Sequence, residues 1–333
     1  GKEIINIYFN YILKKNPKIF IIGEDVGKIG DVNQGLKNLQ KKYGISRITD
    51  TGIRECTIVG QGIGAAVRGL RPIIEIQYLD YILYALQIIS DDLSTLQYRT
   101  KGGQKCPMII RTRGHRFEGI WHSGSYISSI INMTRGVYLI VPRNMTQACG
   151  FYNTMIESDD SAIVIECLKK YETKEEMPKN IEKIKIPIGS PEILKNGNDI
   201  TIVTYGYMCD IIIESSKLLE SINISCEIID VQTILPFDIN QKILKSIKKT
   251  KKVIFIDEDV PGGTTAYMMQ KIIEEQKSYN YLEINPTTLT SKPHRPAYSN
   301  DGEYFSKPNT ELIFEKIYNI MSESNPKKFN SIY

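Results

Sequence analysis

The run Asp50-Thr51-Gly52-Ile53-Arg54-Glu55-Cys56-Thr57-Ile58-Val59-Gly60-Gln61-Gly62-Ile63-Gly64-Ala65-Ala66 sets an acidic residue at the mouth of a helix whose glycines work against helix formation. Each interior glycine costs about 1 kcal/mol relative to alanine. Gly60, Gly62 and Gly64 therefore predict a helix that something approaches closely, either a second helix or a flat ligand lying on bare backbone. Glu55 stands one turn before that surface. Two readings of it stand side by side: a solvated first-turn carboxylate favoured by the helix dipole, and a carboxyl group in a dry pocket, suited to proton transfer. The string Gly60-x-Gly62-x-x-Ala65 also fits a loose dinucleotide fingerprint. That motif must follow a strand directly, whereas Glu55 to Val59 already reads as helix, so the nicotinamide reading is set aside.

A chain of 333 residues has room for two domains, each with its own core. Its apolar content of 41% and charged content of 24% are those of an ordinary globular protein. The net charge of +4 is spread along the chain, which argues against nucleic-acid binding. Apolar runs are too short for a membrane-spanning helix. Residues 1–8 lack the layout of a signal peptide, and a first residue other than Met points to a longer precursor. Six cysteines without a C-x-x-C spacing predict buried free thiols, a cytoplasmic location and no metal site.

Short apolar runs alternate with helical segments. Strands are expected at Lys18–Ile22, Pro72–Ile76, Met108–Ile110, Val137–Val141 and Ala162–Ile165, with helices at Gln34–Tyr43, Glu55–Arg68, Tyr81–Gln97 and Met145–Ser158. That alternation predicts a doubly wound α/β domain on a parallel sheet. The lysine- and proline-rich passage Lys169–Pro191 breaks the periodicity. The expected division is a first domain over 1–175, a linker over 176–190, a smaller α/β domain over 191–322 and a frayed tail over 323–333. Strands Asp199–Thr204, Ser225–Asp230, Lys252–Ile256 and Tyr281–Ile284 and helices Met208–Ser221, Asp238–Lys248 and Thr264–Gln276 are expected in the second domain.

Several strings stand in a telling order: Gly23-Glu24-Asp25-Val26-Gly27, Thr51-Gly52-Ile53-Arg54-Glu55, Glu75-Ile76-Gln77-Tyr78-Leu79-Asp80-Tyr81, His122-Ser123-Gly124-Ser125, Leu235-Pro236-Phe237-Asp238 and Asp257-Glu258-Asp259. Together they resemble the beta subunit of the thiamine-diphosphate-dependent first component of 2-oxo acid dehydrogenase complexes, a transketolase-like family. The resemblance implies a pyrimidine-binding domain followed by a transketolase C-terminal-like domain. It gives Glu55 the contact with the aminopyrimidine ring, Tyr81 the stacking position and Gln77 a place on the cofactor wall. Tyr78 and Tyr84 read as packing on the same helical face as Tyr81. The resemblance sets His122 at the substrate carbonyl and in acyl transfer. His115 reads equally as a substrate contact or as a holder of the loop, and Arg113 equally as attracting a 2-oxo carboxylate or as anchoring the loop through a salt bridge. It assigns Asp257-Glu258-Asp259 to subunit contact.

The family's Gly-Asp-Gly motif for diphosphate and magnesium does not occur in this sequence. The resemblance therefore implies an alpha-type subunit, or a fused alpha region, that holds Mg2+ and the diphosphate. It further implies a lipoyl-bearing acyltransferase partner and an alpha2beta2-like assembly. The Glu75-Ile76-Gln77-x-x-Asp80-Tyr81 string looks closest to the branched-chain 2-oxoisovalerate enzymes. A pyruvate dehydrogenase beta subunit, a fragment of a transketolase or deoxyxylulose-phosphate synthase, and an inactive assembly subunit are the alternatives.

Overall fold

The computed structural model describes residues 1–114, 122, 124–297 and 299–330, with Asn300 by its backbone alone. The chain divides into two compact units. The first comprises 1–117, 129–188 and 233–236, and the second comprises 118–128, 189–232 and 237–333.

The first unit is built on strands β1 (Ile19–Gly23), β2 (Ile48–Asp50), β3 (Arg71–Glu75), β4 (Ile109–Gly114), β5 (Tyr138–Ile140) and β6 (Ala162–Cys167). Their spatial order is β5-β6-β4-β3-β1-β2, all parallel. These strands are buried nearly throughout, as strands covered on both faces are, and most of their residues are apolar. A helix over Lys2–Lys15, absent from the expected elements, presents Ile4, Ile5, Tyr8, Phe9, Ile12 and Leu13 to the core at helical spacing. The helix Met145–Glu157 shares that core.

The second unit has β7 (Glu192–Lys195), β8 (Ile200–Thr204), β9 (Cys226–Asp230), β11 (Val253–Ile256) and β12 (Thr287–Leu289), in the order β12-β11-β8-β9-β7. Strand β10 (Thr233–Leu235) lies between β9 and β11 in the chain, yet it pairs antiparallel with β5 of the first sheet. The α/β fold class is as expected, with antiparallel strands confined to β10 and β7.

Several expected elements differ. The helix of Gln34–Tyr43 shrinks to Leu39–Tyr43, because Asp31, Gln34 and Asn38 take positive φ and turn the chain first. The helix of Tyr81–Gln97 is a succession of pitches: a 3-10 stretch at Leu79–Ala85, α at Leu86–Ile88, π at Ile89–Leu93 and α at Leu96–Arg99. The helix of Asp238–Lys248 starts at Lys242, since the Asp238 carboxylate accepts from the Lys242 and Ile243 amides at 2.8 and 3.1 Å. The strand expected at Tyr281–Ile284 is replaced by a 3-10 turn at Ser278–Tyr281, and the edge strand forms at β12 instead. The tail is not frayed over its described length. A helix runs over Thr310–Ser324, and Phe329 folds back into the core beside Ile313, Ile317 and Met321. Among the described residues no helix is long and apolar enough to cross a membrane.

Candidate functional site

Strand β1 lies between β3 and β2, so the chain leaves β1 and β3 in opposite directions across the sheet. Such a switch point opens a crevice at the carboxyl ends of the strands, where α/β proteins bind ligands. Three connections meet there. Glu24 and Asp25 follow β1, Thr51–Arg54 follow β2 and lead into the helix Glu55–Val67, and Gln77, Tyr78 and Tyr81 follow β3. Asp50 ties two of these loops together, accepting from the Gly27 amide at 2.6 Å and the Lys28 amide at 3.0 Å.

Glu55 is buried at 8% exposure as the first residue of its helix, where the aligned peptide dipoles favour an acidic side chain. The glycines behind it divide by face. A Cβ on Gly62 would stand 2.7 Å from Ile74 Cγ2 and 2.9 Å from Met108 Cε, so the helix can lie this close to the sheet only because the position is bare. Gly60 faces Ile88, at 3.2 Å by the same measure, whereas Gly64 opens to free space. The close approach expected of all three holds within the chain for Gly62 and Gly60.

The structure sets Glu55 and Tyr81 near Glu24 and Asp25, and Gln77 joins the group through Asp25. Burial, Asp25 and Glu55 raise the pKa of Glu24, in that order. Burial raises the phenol of Tyr81, with further contributions from Asp80, Tyr78, Glu24 and Glu55. Gln77 Nε2 donates to Asp25 Oδ2 at 3.3 Å. Tyr78 meets Tyr81 edge-to-face, with ring centroids 5.9 Å apart. Tyr84 does not pack as expected. It is 72% exposed, because the 3-10 pitch replaces the α-helical face that was to carry it.

Arg113 is not available to a substrate carboxylate. It is 1% exposed, with Nη2 3.0 Å from both Glu75 Oε1 and Asp31 Oδ2, while Nη1 donates to the Gln77 carbonyl at 3.2 Å. Arg111 lies beside it, bonded to Glu75 Oε2 at 2.6 Å, Glu166 Oε2 at 3.0 Å and the Tyr171 hydroxyl at 2.6 Å. Asp31, Glu75 and Glu166 thus face two guanidinium groups in a fully buried network. Burial outweighs both arginines at Glu75 and lifts its pKa to about 7. The network fixes the backbone at Gln77, which is a supporting role. Its sequence signal was an Arg-x-Arg inside an apolar strand (Ile109–Gly114), a pattern that demands buried acids.

His122 is half-buried in a turn of the second unit. His115 lies outside the described residues. Asp257, Glu258 and Asp259, assigned by resemblance to subunit contact, are instead buried inside the chain: Asp257 accepts from Tyr205 at 3.1 Å and Asp259 from Thr264 at 3.1 Å. His294 is exposed and stacks on Phe305, with centroids 6.1 Å apart. Of the six thiols, Cys56 is exposed and the other five are buried, and all are free.

The transketolase pyrimidine-binding domain family matches residues 2–174, and the transketolase C-terminal domain family matches residues 189–311. The chain is 30% identical to the 2-oxoisovalerate dehydrogenase subunit beta of Bacillus subtilis, over 82% of this chain and 83% of that one. It is 31% identical to the pyruvate dehydrogenase E1 component subunit beta of Acholeplasma laidlawii, over 93% and 94%. The corresponding subunit of Mesostigma viride is 31% identical over 96% and 97%. Among solved structures, a split-gene transketolase described as an inactive beta4 tetramer shares the fold with a TM-score of 0.77 at 17% identity, over 96% of this chain and 97% of that one. A Pichia stipitis transketolase variant gives 0.70 at 14%, over all of this chain and 48% of that one. A pyrimidine-binding domain match over residues 2–174 and two beta-subunit relatives at 30% and 31% identity over more than four fifths of the chain show the family: the chain belongs to the thiamine-diphosphate-dependent, transketolase-like family of 2-oxo acid dehydrogenase beta subunits.

Proposed function

We propose that this chain supplies the pyrimidine side of the active site of a 2-oxo acid dehydrogenase and works with an alpha-type partner that holds Mg2+ and the diphosphate. The observation that carries the reading is the placement of Glu55, buried beside Tyr81 and Gln77 at the switch point of the sheet. The residues present fit the group. A carboxyl in a nearly dry recess offers one hydrogen-bond contact to a heteroaromatic nitrogen, and a half-buried tyrosine offers a stacking face. When bound, thiamine diphosphate supplies the carbon nucleophile that makes loss of CO2 from a 2-oxo acid possible. Glu55 holds or releases a proton at its carboxyl oxygen, Tyr81 orients the ring plane, and Gln77 is kept in register by Asp25 and Arg113. His122 acts as proton donor or orienting group towards substrate and lipoyl acceptor.

The Glu75–Tyr81 string favours branched-chain 2-oxo acids, while two of the three relatives named above carry the name pyruvate dehydrogenase. Acylation of a lipoyl-bearing partner in an alpha2beta2-like assembly completes the reading. Free thiols at all six cysteines fit a reducing cytoplasm. Titration calorimetry with thiamine diphosphate and Mg2+ tests the half-site. Tight binding is expected only with the alpha-type partner present, and tight magnesium-dependent binding by this chain alone would sink the proposal. Turnover on pyruvate against 2-oxoisovalerate in the reconstituted complex decides the substrate.

A further inference from the structure

The second unit buries its own group of charges at the carboxyl end of β11. Asp257, Glu258 and Asp259 are all shielded from water there. Behind them lies Lys307, 1% exposed and the one buried lysine among the described residues. Its Nζ stands 3.5 Å from Glu258 Oε2 and 3.5 Å from Glu303 Oε1. An ammonium group is costly to bury, and it is kept where acids have already been buried for another purpose.

That purpose is visible in what the acids hold. Ser125 Oγ donates to Glu258 Oε1 at 3.4 Å, and the Ser128 amide donates to Asp259 Oδ2 at 3.3 Å. Between them the Arg295 guanidinium lies 4.9 Å from the centre of the Tyr126 ring. Asp259 is itself fixed, accepting from Thr264 Oγ1 at 3.1 Å and from the Val260 amide at 2.8 Å. Glu258 is fixed through its backbone, whose carbonyl accepts from Ser291 Oγ at 2.7 Å. Residues 125, 126 and 128 thus each have a contact partner within the second unit. His122 stands three residues before Ser125, a span of at most about 11 Å of extended chain. Clamping Ser125 therefore limits the volume the imidazole can search.

We propose that Lys307 is a positioning residue for His122: it holds Glu258 oriented towards Ser125, and Glu258 and Asp259 together clamp the stem from which the histidine is presented. The inference rests on the catalytic reading of His122 given above, but the clamp itself can be measured without it. With a neutral side chain at 307, Glu258 loses the ion pair at 3.5 Å that orients its carboxylate, and its hold on Ser125 loosens.

The test uses the reconstituted alpha-beta complex with Lys307→Met, Lys307→Arg and Ser125→Ala. Amide hydrogen exchange over residues 124–128 is expected to quicken about tenfold in Lys307→Met and Ser125→Ala while β8, β9 and β11 keep their protection. Turnover should fall about tenfold with the KM for thiamine diphosphate unchanged, and Lys307→Arg should recover most of both effects. In a His122→Ala background, Lys307→Met should bring no further loss. Unchanged exchange over 124–128 in both variants overturns the clamp. Multiplying losses in the double variant overturn its link to His122. Full activity of His122→Ala alone removes the catalytic reading of that histidine, and the exchange data still decide the clamp. Should Lys307→Met fail to fold, Ser125→Ala, which deletes one hydroxyl, carries the same measurement.

Discussion

Arg113 Nη2 stands 3.0 Å from Glu75 Oε1 while Nη1 of the same buried guanidinium donates to the Gln77 carbonyl at 3.2 Å, so a buried ion pair holds the chain in place just after β3. Replacing Arg113 with Met leaves Asp31 and Glu75 buried with one cation fewer. A loss of about 3–5 kcal/mol of stability is expected, read as a lowered denaturant midpoint. Equal stability would show that the network relaxes without cost.

Glu75 also gives the network a pH signature. Its folded pKa, about 7, lies above the ordinary carboxylate value of 4.5, so the folded chain binds more protons than the unfolded chain between those limits. Its contribution is complete below pH 4.5 and is lost as pH rises through about 7, with a total on the order of 3 kcal/mol. Glu75→Gln should flatten that part of the stability-versus-pH curve. An unaltered slope would assign it to other groups.

Glu55→Gln keeps the shape of the side chain and removes its ionisable oxygen. In the complex with an alpha-type partner, exchange of the thiazolium proton should slow by about 10²- to 10³-fold, with the fold intact. A rate equal to that of the parent would take Glu55 out of the proton-transfer path.

His122→Ala should spare cofactor affinity and slow substrate steps by about 10²- to 10⁴-fold. Decarboxylation followed with an artificial electron acceptor, set against transfer to a lipoyl domain, separates the two steps. Parental rates in both assays would make His122 a loop residue only.

Gly62 and Gly64 should respond in opposite senses to alanine. At Gly62 the new Cβ meets Ile74 and Met108 inside van der Waals distance, and a loss of about 1–3 kcal/mol is expected despite the better helix former. At Gly64 the space is open, and Ala should stabilise the isolated chain by up to about 1 kcal/mol. Thermal unfolding of the two variants checks the contrast.

The sequence carried the α/β alternation because buried parallel strands hold short apolar runs such as Ile19–Ile22 and Ala162–Ile165, whereas Glu55, Tyr81 and Gln77 were picked out only by the family resemblance of their strings. It did not carry the pitch changes over 79–99, which tertiary packing imposes on an otherwise helical pattern. Nor did it decide between a substrate and an internal acid as the partner of Arg113, because Asp31, 3.0 Å from it, lies more than eighty residues earlier in the chain. The clamp on residues 125–128 was equally hidden, since its acids follow a strand more than a hundred residues downstream.

Because β10 returns to pair with β5, no single cut divides this chain into its two folding units. A fragment ending at the linker would present β5 as a bare ladder of amides and carbonyls, Tyr138 to Ile140, open to any passing strand. The short crossing segment 233–236 is a covering edge supplied from downstream, so the first sheet is finished only after the β-strands up to β9 have been synthesised. During synthesis, then, the pyrimidine-binding unit waits on its neighbour's sequence for its last strand.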